Sequence, residues 1–268
     1  MPEHETAGVR FLYGDETNLQ PDEGRFFVYS GVVVQSATAA SLSEEISRIR
    51  RQAGYRGNEL LKFNTKHRPE GVSVEAHRAA KQEIMGAAQR HGVRLIATLV
   101  SHDIADERRA RAWQINQTCK NFDTLLNESG EYGLVMLDQY TDPNLTVELR
   151  TRFLSGLEDQ QGNRHALDRI LGYNISTGGS SHFACLADVV AGALRYAVNA
   201  VEKPRSLRVA GELLAQLAPL CVRDARGCVR RQSLCLLPLD VRHDQYRGRY
   251  HDLVEHLYQG GMELTQLY

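Results

Sequence analysis

Apolar and polar positions along the chain follow two alternating periods, and their order predicts an α/β fold. The apolar runs at residues 9–14 and 25–35 are rich in the β-branched and aromatic residues that favour strands. The turn-rich polar segment DETNLQPDEG lies between them. We therefore predict that the first two strands pair as a hairpin.

A helical period follows this hairpin. Over residues 41–53, Leu42 and Ile46 recur on one face of the predicted helix. Ser41 and Glu44 form a capping-box pattern, which predicts that the helix begins at Ser41.

Strand and helix patterns continue to alternate after this point. They predict helices at residues 74–91, 106–128, 181–201 and 207–218, after Pro143 and from residue 250, and strands at residues 93–100, 133–140, 170–176 and 234–241. The strand at 133–140 is continuously apolar, which is typical of burial on both faces. A mixed sheet flanked by helices fits this order best. We expect a single α/β domain over residues 1–268, with residues 204–268 as a less regular C-terminal extension.

Composition indicates the compartment of the protein but says little about any reaction that it catalyses. The 268 residues carry 33 acidic and 32 basic side chains, so overall charge does not favour a nucleic-acid partner. The first residues, MPEHETAGVR, lack an apolar leader, and no apolar run approaches the ~20 residues of a membrane span. We expect a soluble cytoplasmic protein without membrane association. The five cysteines lack zinc-type pair spacing and are interpreted as buried free thiols.

Two aspartates close predicted strands. Asp15 ends the first strand in LYGDET, and Asp138 ends the apolar strand LVMLD. If these strands are parallel neighbours, both carboxylates leave the same sheet edge, where open α/β sheets bind ligands. The alternative is that each aspartate only closes a strand and starts a turn.

A third aspartate lies within an apolar helix. Asp188 stands in HFACLADVVAGALRYAVNAV, where a buried carboxylate needs a partner, a proton or a metal ion. Its structural alternative is an ion pair with Arg195, seven residues further on. Glu59 and Lys62 form an E-x-x-K pattern in NELLKF. This pattern is typical of a surface ion pair, whereas the functional hypothesis makes Glu59 an oxygen ligand and Lys62 a phosphate contact.

Four gathered acids would indicate a divalent cation. Mg²⁺ and Mn²⁺ prefer hard oxygen ligands, and carboxylates crowded without a cation repel one another. Two such ions about 3.5–4 Å apart activate water and stabilise the leaving oxygen in phosphodiester hydrolysis.

The motifs LYGDET, ELLKF, VMLDQY and LADVVAG occur in this order along the chain. In this respect the sequence resembles a large family of bacterial and phage proteins that is known as a domain of unknown function with a ribonuclease H-like fold. The family has an opening D-E-S/T and a late A-D-x-x-A-G motif. The resemblance implies a ribonuclease H-like mixed sheet and a nuclease-like metal site. The resemblance also implies which acids bind the metal, namely Asp15, Glu59, Asp138 and Asp188. Glu16 and Lys62 are then supporting residues of the site.

Two further features bear on phosphate binding. His182 follows the flexible run STGGSS at a helix start, where it serves either as a general acid or base or as a structural histidine. The C-terminal region is rich in arginine, which suits either a phosphate backbone or a solvated or oligomeric surface. These arginines are Arg205, Arg208, Arg223, Arg226, Arg230, Arg231, Arg242, Arg247 and Arg249.

We therefore predict metal-dependent hydrolysis of phosphodiesters in nucleic acid, with Mg²⁺ or Mn²⁺ as the cofactor. Two alternatives stay open: a non-catalytic module that binds nucleic acid or protein, and a phosphodiesterase for a small molecule. The sequence leaves DNA or RNA, the oligomeric state and the native metal undecided.

Overall fold

The structure is a computed structural model that describes residues 8–17, 24–105, 107–138, 145–158, 164–176, 179–201 and 204–266. In these residues the strands are β1 (Val9–Thr17), β2 (Phe26–Gln35), β3 (Arg94–Ser101), β4 (Tyr132–Asp138), β5 (Leu157–Glu158), β6 (Arg164–His165), β7 (Ile170–Ser176) and β8 (Leu234–Leu237). The α-helices are α1 (Ser36–Gln52), α2 (Val74–Arg90), α3 (Glu107–Ser129), α4 (Leu145–Ser155), α5 (His182–Val198), α6 (Leu207–Leu217) and α7 (Asp244–Gln259). Short 3-10 turns occur at Thr65–His67, Pro204–Ser206 and Ala218–Leu220. Within the described ranges, no helix combines the length and apolar character that crossing a membrane requires.

Six strands form one mixed sheet in the order β7-β4-β1-β2-β3-β8, and β5 pairs separately with β6. β1, β2 and β3 are antiparallel neighbours, so the predicted hairpin of the first two strands is confirmed. On the other side of β1, the strands β4 and β7 run parallel to it. The expected class, an α/β fold with a mixed sheet flanked by helices, is therefore confirmed.

β2 is buried on both faces because helices cover both sides of the sheet. Val32 and Val34 belong to the large core cluster that contains residues of α1, α2, α5, α6 and α7. Val33, between them, points the other way and belongs to the cluster that contains Phe122 of α3. Full burial of each such side chain stabilises the fold by about 1.5–3 kcal/mol.

α1 begins earlier than its sequence pattern predicts, at Ser36 instead of Ser41. Gln35, the last residue of β2, is its N-cap, and no side chain caps the helix. The capping-box prediction is therefore wrong, and the Ser41 hydroxyl instead donates to the Thr38 carbonyl within the helix. The chain passes directly from strand to helix because the SATAAS segment contains alanines, which favour helix.

Residues after 204 are part of the main core instead of an appended extension. β8 pairs in parallel with β3, and Leu214 and Tyr250 lie in the large core cluster. The last strand ends at Leu237, earlier than predicted, because Pro238 has no N–H to donate to a strand ladder. The last helix begins at Asp244 instead of residue 250.

All five cysteines are free thiols, as the sequence predicts. Cys119, Cys221, Cys228 and Cys235 are buried, and Cys185 is partly buried.

A glycine in α5 lets an irregular segment, residues 54–72, approach this helix closely. A β-carbon added at Gly192 would lie 2.3 Å from Cγ of Phe63 and 2.4 Å from its Cβ. Such distances are far shorter than van der Waals contact, so only glycine permits the present position of Phe63. The segment also carries Glu59 and Lys62, so Gly192 fixes where these two residues can lie.

We predict that Gly192→Ala destabilises the protein by about 1–3 kcal/mol, because the added methyl overpacks against Phe63. The matched control is Gly211→Ala in α6, where a β-carbon meets nothing within 4 Å. This control should stabilise the protein by about 0.5–1 kcal/mol through helix propensity. Urea denaturation measures both free energies of unfolding. Equal effects of the two substitutions would contradict the proposed packing constraint.

Candidate functional site

A narrow recess opens where the parallel pairing of β1 with β4 ends. Gly14 is paired with Leu137 there, so the next residues, Asp15 and Asp138, lie side by side. Asp15 does not end its strand as predicted, because β1 continues to Thr17 in antiparallel pairing with β2. Both aspartates line the recess, which has a volume of about 20 Å³, and so does Met136. The predicted burial of β4 on both faces is wrong, because Leu134, Met136 and Asp138 are only half-buried, and the last two of these line the recess.

Asp188 reaches the same recess from α5. Its Oδ2 accepts a hydrogen bond from the backbone N–H of Phe63 at 2.6 Å, and its Oδ1 lies 3.2 Å from Nζ of Lys62. The side chain keeps 22% of its exposure. The charge of Asp188 is therefore compensated by Lys62, so an ion pair with Arg195 is not needed to explain it.

Lys62 is the cation shared by the three aspartates, and it also lines the recess. Burial alone would lower the pKa of the Lys62 ammonium. The attraction and hydrogen bond of Asp188, with smaller contributions from the charges of Asp15 and Asp138, raise that pKa above its ordinary value. The predicted surface ion pair between Glu59 and Lys62 is therefore wrong.

Glu59 lies outside the recess. Its carboxylate accepts a hydrogen bond from the backbone N–H of Arg56 at 2.7 Å, and its own carbonyl accepts one from Arg50 at 2.5 Å. Because residues 56–59 form a turn instead of a helix, the three-residue spacing does not bring Glu59 and Lys62 to one face. Glu16 lies in β1 opposite Tyr29, and its side chain lies outside what the structure describes.

His182 begins α5, as predicted, but does not line the acidic recess. Ser181 caps the helix by accepting a hydrogen bond from the Phe183 N–H. The His182 Nδ1 lies 3.3 Å from Nη1 of Arg50. Burial and the neighbouring Arg50 charge lower the pKa of His182 below its ordinary value.

Helix α2 holds the segment that carries Lys62. Lys81 donates a hydrogen bond to the Phe63 carbonyl at 2.8 Å and lies over the Phe63 ring. Burial lowers the pKa of Lys81 to about 8, and repulsion from Arg78 acts in the same direction. One helical turn before Lys81, the fully buried His77 meets the Tyr55 hydroxyl at 2.5 Å. The sequence analysis did not identify these residues, although the i, i+4 spacing of His77 and Lys81 indicates a shared face.

Ser176 is another lining residue that sequence reasoning missed. It ends β7 and is paired with Asp138 in the parallel ladder. The same strand-end argument that selected Asp15 and Asp138 would have selected Ser176.

Most of the C-terminal arginines already have carboxylate partners. In the described residues, six of the nine form ion pairs: Arg208–Glu212, Arg226–Asp224, Arg230–Glu128, Arg242–Asp240, Arg247–Asp244 and Arg249–Asp103. This pairing favours the solvated-face interpretation over a continuous phosphate-binding strip.

The donor chemistry of the recess suits a hard divalent cation. Asp15, Asp138 and Asp188 offer carboxylate oxygens around the recess, and the ammonium of Lys62 lies among them. Each oxygen of Asp188 keeps a lone pair after its hydrogen bond. In their present positions, however, no three acidic, imidazole or thiol groups among the described residues converge closely enough to hold one ion.

The sequence was compared with models of protein families and with curated proteins, and neither comparison finds a match.

We predict that buried His77 makes the fold sensitive to acid. Its pKa is lowered from 6.5, first by burial and then by the charge of Lys81. Between the folded pKa and 6.5 only the unfolded chain takes up the proton, so the free energy of unfolding falls as pH falls through that window. His77→Gln should therefore lose less stability on acidification than the wild type.

Urea denaturation above and below pH 6.5 measures this difference. His67→Gln, at an exposed site in the 3-10 turn before α2, is the control and should behave like the wild type. An acid sensitivity of His77→Gln equal to that of the wild type would contradict the assignment.

Proposed function

We propose that this protein is a metal-dependent phosphodiesterase that acts on nucleic acid. The observation that carries the proposal is that Asp15, Asp138 and Asp188 line one recess together with Lys62. These aspartates come from two strands and a helix that lie far apart in sequence. Like charges that lie close together repel one another and oppose folding, unless a bound ligand or a counter-ion offsets the repulsion.

The proposed fold is ribonuclease H-like. Its support is the strand order: an antiparallel meander of β1, β2 and β3, followed by β4 and β7 parallel to β1. The resemblance of the four sequence motifs supports the same assignment.

In the proposed mechanism, Asp15 and Asp138 would hold Mg²⁺ or Mn²⁺ with oxygens from adjacent strands. Asp188 adds a ligand whose orientation is fixed by the Phe63 N–H. When bound, the ion supplies Lewis acidity toward the phosphodiester. Lys62 donates toward a non-bridging phosphate oxygen and neutralises charge there, since its raised pKa keeps it protonated at neutral pH.

The size of the recess favours a polymeric substrate over an enclosed small molecule. Pockets that enclose small ligands have volumes of about 300–1,000 Å³, whereas this recess has about 20 Å³. The recess accommodates an ion or a water molecule, and a substrate would lie across its mouth. A phosphodiester backbone crossing the sheet edge meets this condition.

A non-catalytic nucleic-acid binding module is the second candidate. It is favoured by the Lys62–Asp188 ion pair, which already compensates one carboxylate within the protein. This candidate requires binding of nucleic acid that is unaffected by a chelator, with no cleavage in Mg²⁺ or Mn²⁺.

We predict that Asp138→Asn weakens Mn²⁺ binding by more than about tenfold and abolishes cleavage of DNA or RNA, because a ligand oxygen and its charge are lost. Calorimetric titration of Mn²⁺ measures the affinity, and circular dichroism checks that the variant is folded. The control is Asp252→Asn, at an exposed position of α7, which should bind Mn²⁺ like the wild type. Unchanged Mn²⁺ affinity and cleavage in Asp138→Asn would overturn the proposal.

The structure and the sequence resemblance differ over Glu59, and a second variant separates them. Because its carboxylate bonds to Arg56 outside the recess, we predict that Glu59→Gln leaves the Mn²⁺ affinity unchanged. The same calorimetric titration measures this. A loss as large as that of Asp138→Asn would instead make Glu59 a ligand, as the resemblance implies.

A further inference from the structure

A second cavity lies beside the acidic recess and shares walls with it. Leu60, Leu61, Gly179 and Cys185 line both. The second cavity has a volume of about 320 Å³, far larger than the recess. The charged side chain that lines this second cavity is Arg50 of α1, so its lining is cationic where that of the recess is mainly acidic.

Arg50 is a half-buried cation without a carboxylate partner among the described residues. One Nη donates to the Glu59 carbonyl, and the other lies 3.3 Å from the ring of His182. Its Nε–H is fully buried and meets no acceptor. The guanidinium is thus partly removed from water, and a cation in that position is stabilised by an accompanying anion.

The opposite wall of the cavity is the start of α5. Ser180, Ser181 and His182 line the cavity there, and the first turn of this 17-residue helix contains no acidic residue. The free N–H groups and the dipole of such a helix start attract anions. Arg50 and His182 lie side by side at the cavity wall, and the Arg50 charge contributes to the lowered pKa of His182, so an anion bound beside both would offset that effect.

We propose that the cavity between Arg50 and the start of α5 binds a phosphate group, namely the backbone phosphate next to the one held at the aspartates. The proposal of an anion site is supported by Arg50 and the residues around it. Its assignment to a nucleic-acid backbone rests on the proposed function. A substrate would thus span two subsites of opposite charge, one carboxylate-rich and one cationic, on either side of Leu60 and Leu61.

The first test uses inorganic phosphate and the full chain, without divalent metal. The ring signals of His182 are followed by ¹H–¹⁵N NMR and identified by their loss in His182→Gln. We expect a saturable shift in the wild type that is absent in Arg50→Gln. Arg51→Gln removes the same charge from an exposed neighbour and should keep the shift.

Arg50→Lys guards against misfolding of Arg50→Gln, because it keeps the charge while losing the planar fork. It should respond at about tenfold higher phosphate concentration. The proposal is overturned if the wild-type His182 signals do not respond to phosphate. It is also overturned if Arg50→Gln, or Arg50→Lys should the former not fold, responds like the wild type.

A second test separates a substrate phosphate from free phosphate. Short single-stranded DNA and RNA without terminal phosphates are titrated against the wild type and Arg50→Gln in the absence of divalent metal, at several salt concentrations. Loss of one backbone contact should reduce the salt dependence of log K by about one unit. An unchanged slope, with phosphate binding intact, would overturn the backbone assignment and leave a site for free phosphate.

The phosphate titration is repeated on Asp138→Asn, so that the two proposals fail separately. A phosphate response in this variant, together with lost Mn²⁺ binding and cleavage, supports both. If the response persists but Asp138→Asn still cleaves, the assignment of the cleavage site to the aspartates fails and the anion site stands. If cleavage is lost but the wild type never responds to phosphate, only the anion site fails.

Discussion

Compensation of negative charge at one sheet edge is the constraint around which this structure is organised. Parallel pairing of β1 with β4 forces Asp15 and Asp138 together, and α5 adds Asp188. Unpaired carboxylates removed from water cost several kcal/mol each. The fold meets this cost by directing Lys62 into the recess from a segment with little regular structure.

The position of Lys62 depends in turn on contacts made by its neighbour Phe63. The Phe63 N–H donates a hydrogen bond to Asp188, and the Phe63 carbonyl accepts one from Lys81. The Phe63 ring lies against Gly192. The segment is thus fixed to both α5 and α2 within one residue of the cation. Lys62 therefore has a well-defined position at the site, although residues 54–72 form little regular secondary structure.

The sequence predicted the elements of the site better than their contacts. Strand periodicity placed Asp15 and Asp138 at strand ends, and the apolar helix around Asp188 indicated a carboxylate that needs a partner. Residues 54–72 have neither strand nor helix period, so no pattern reveals that Lys62 turns toward Asp188 and Glu59 turns away. That distinction depends on a turn at residues 56–59 and on a contact across 125 residues.

Composition was also a poor guide to where positive charge is available. Arg230 and Arg249 looked like members of a basic strip, but their partners, Glu128 and Asp103, come from distant parts of the chain. No sequence pattern distinguishes Arg50, yet among the described residues it has no carboxylate partner. Ion pairing is a property of the folded chain, and a count of residue types does not contain it.

The place of β8 at the edge of the sheet has a consequence for synthesis on the ribosome. β3 is translated long before β8, the strand that covers its outer side. Until residues 234–237 emerge, β3 exposes a row of unpaired backbone groups on apolar sequence, which is a template for association with other chains. The nascent chain thus carries an aggregation hazard during translation of the α3-to-α6 region, when general chaperones would be of use to it.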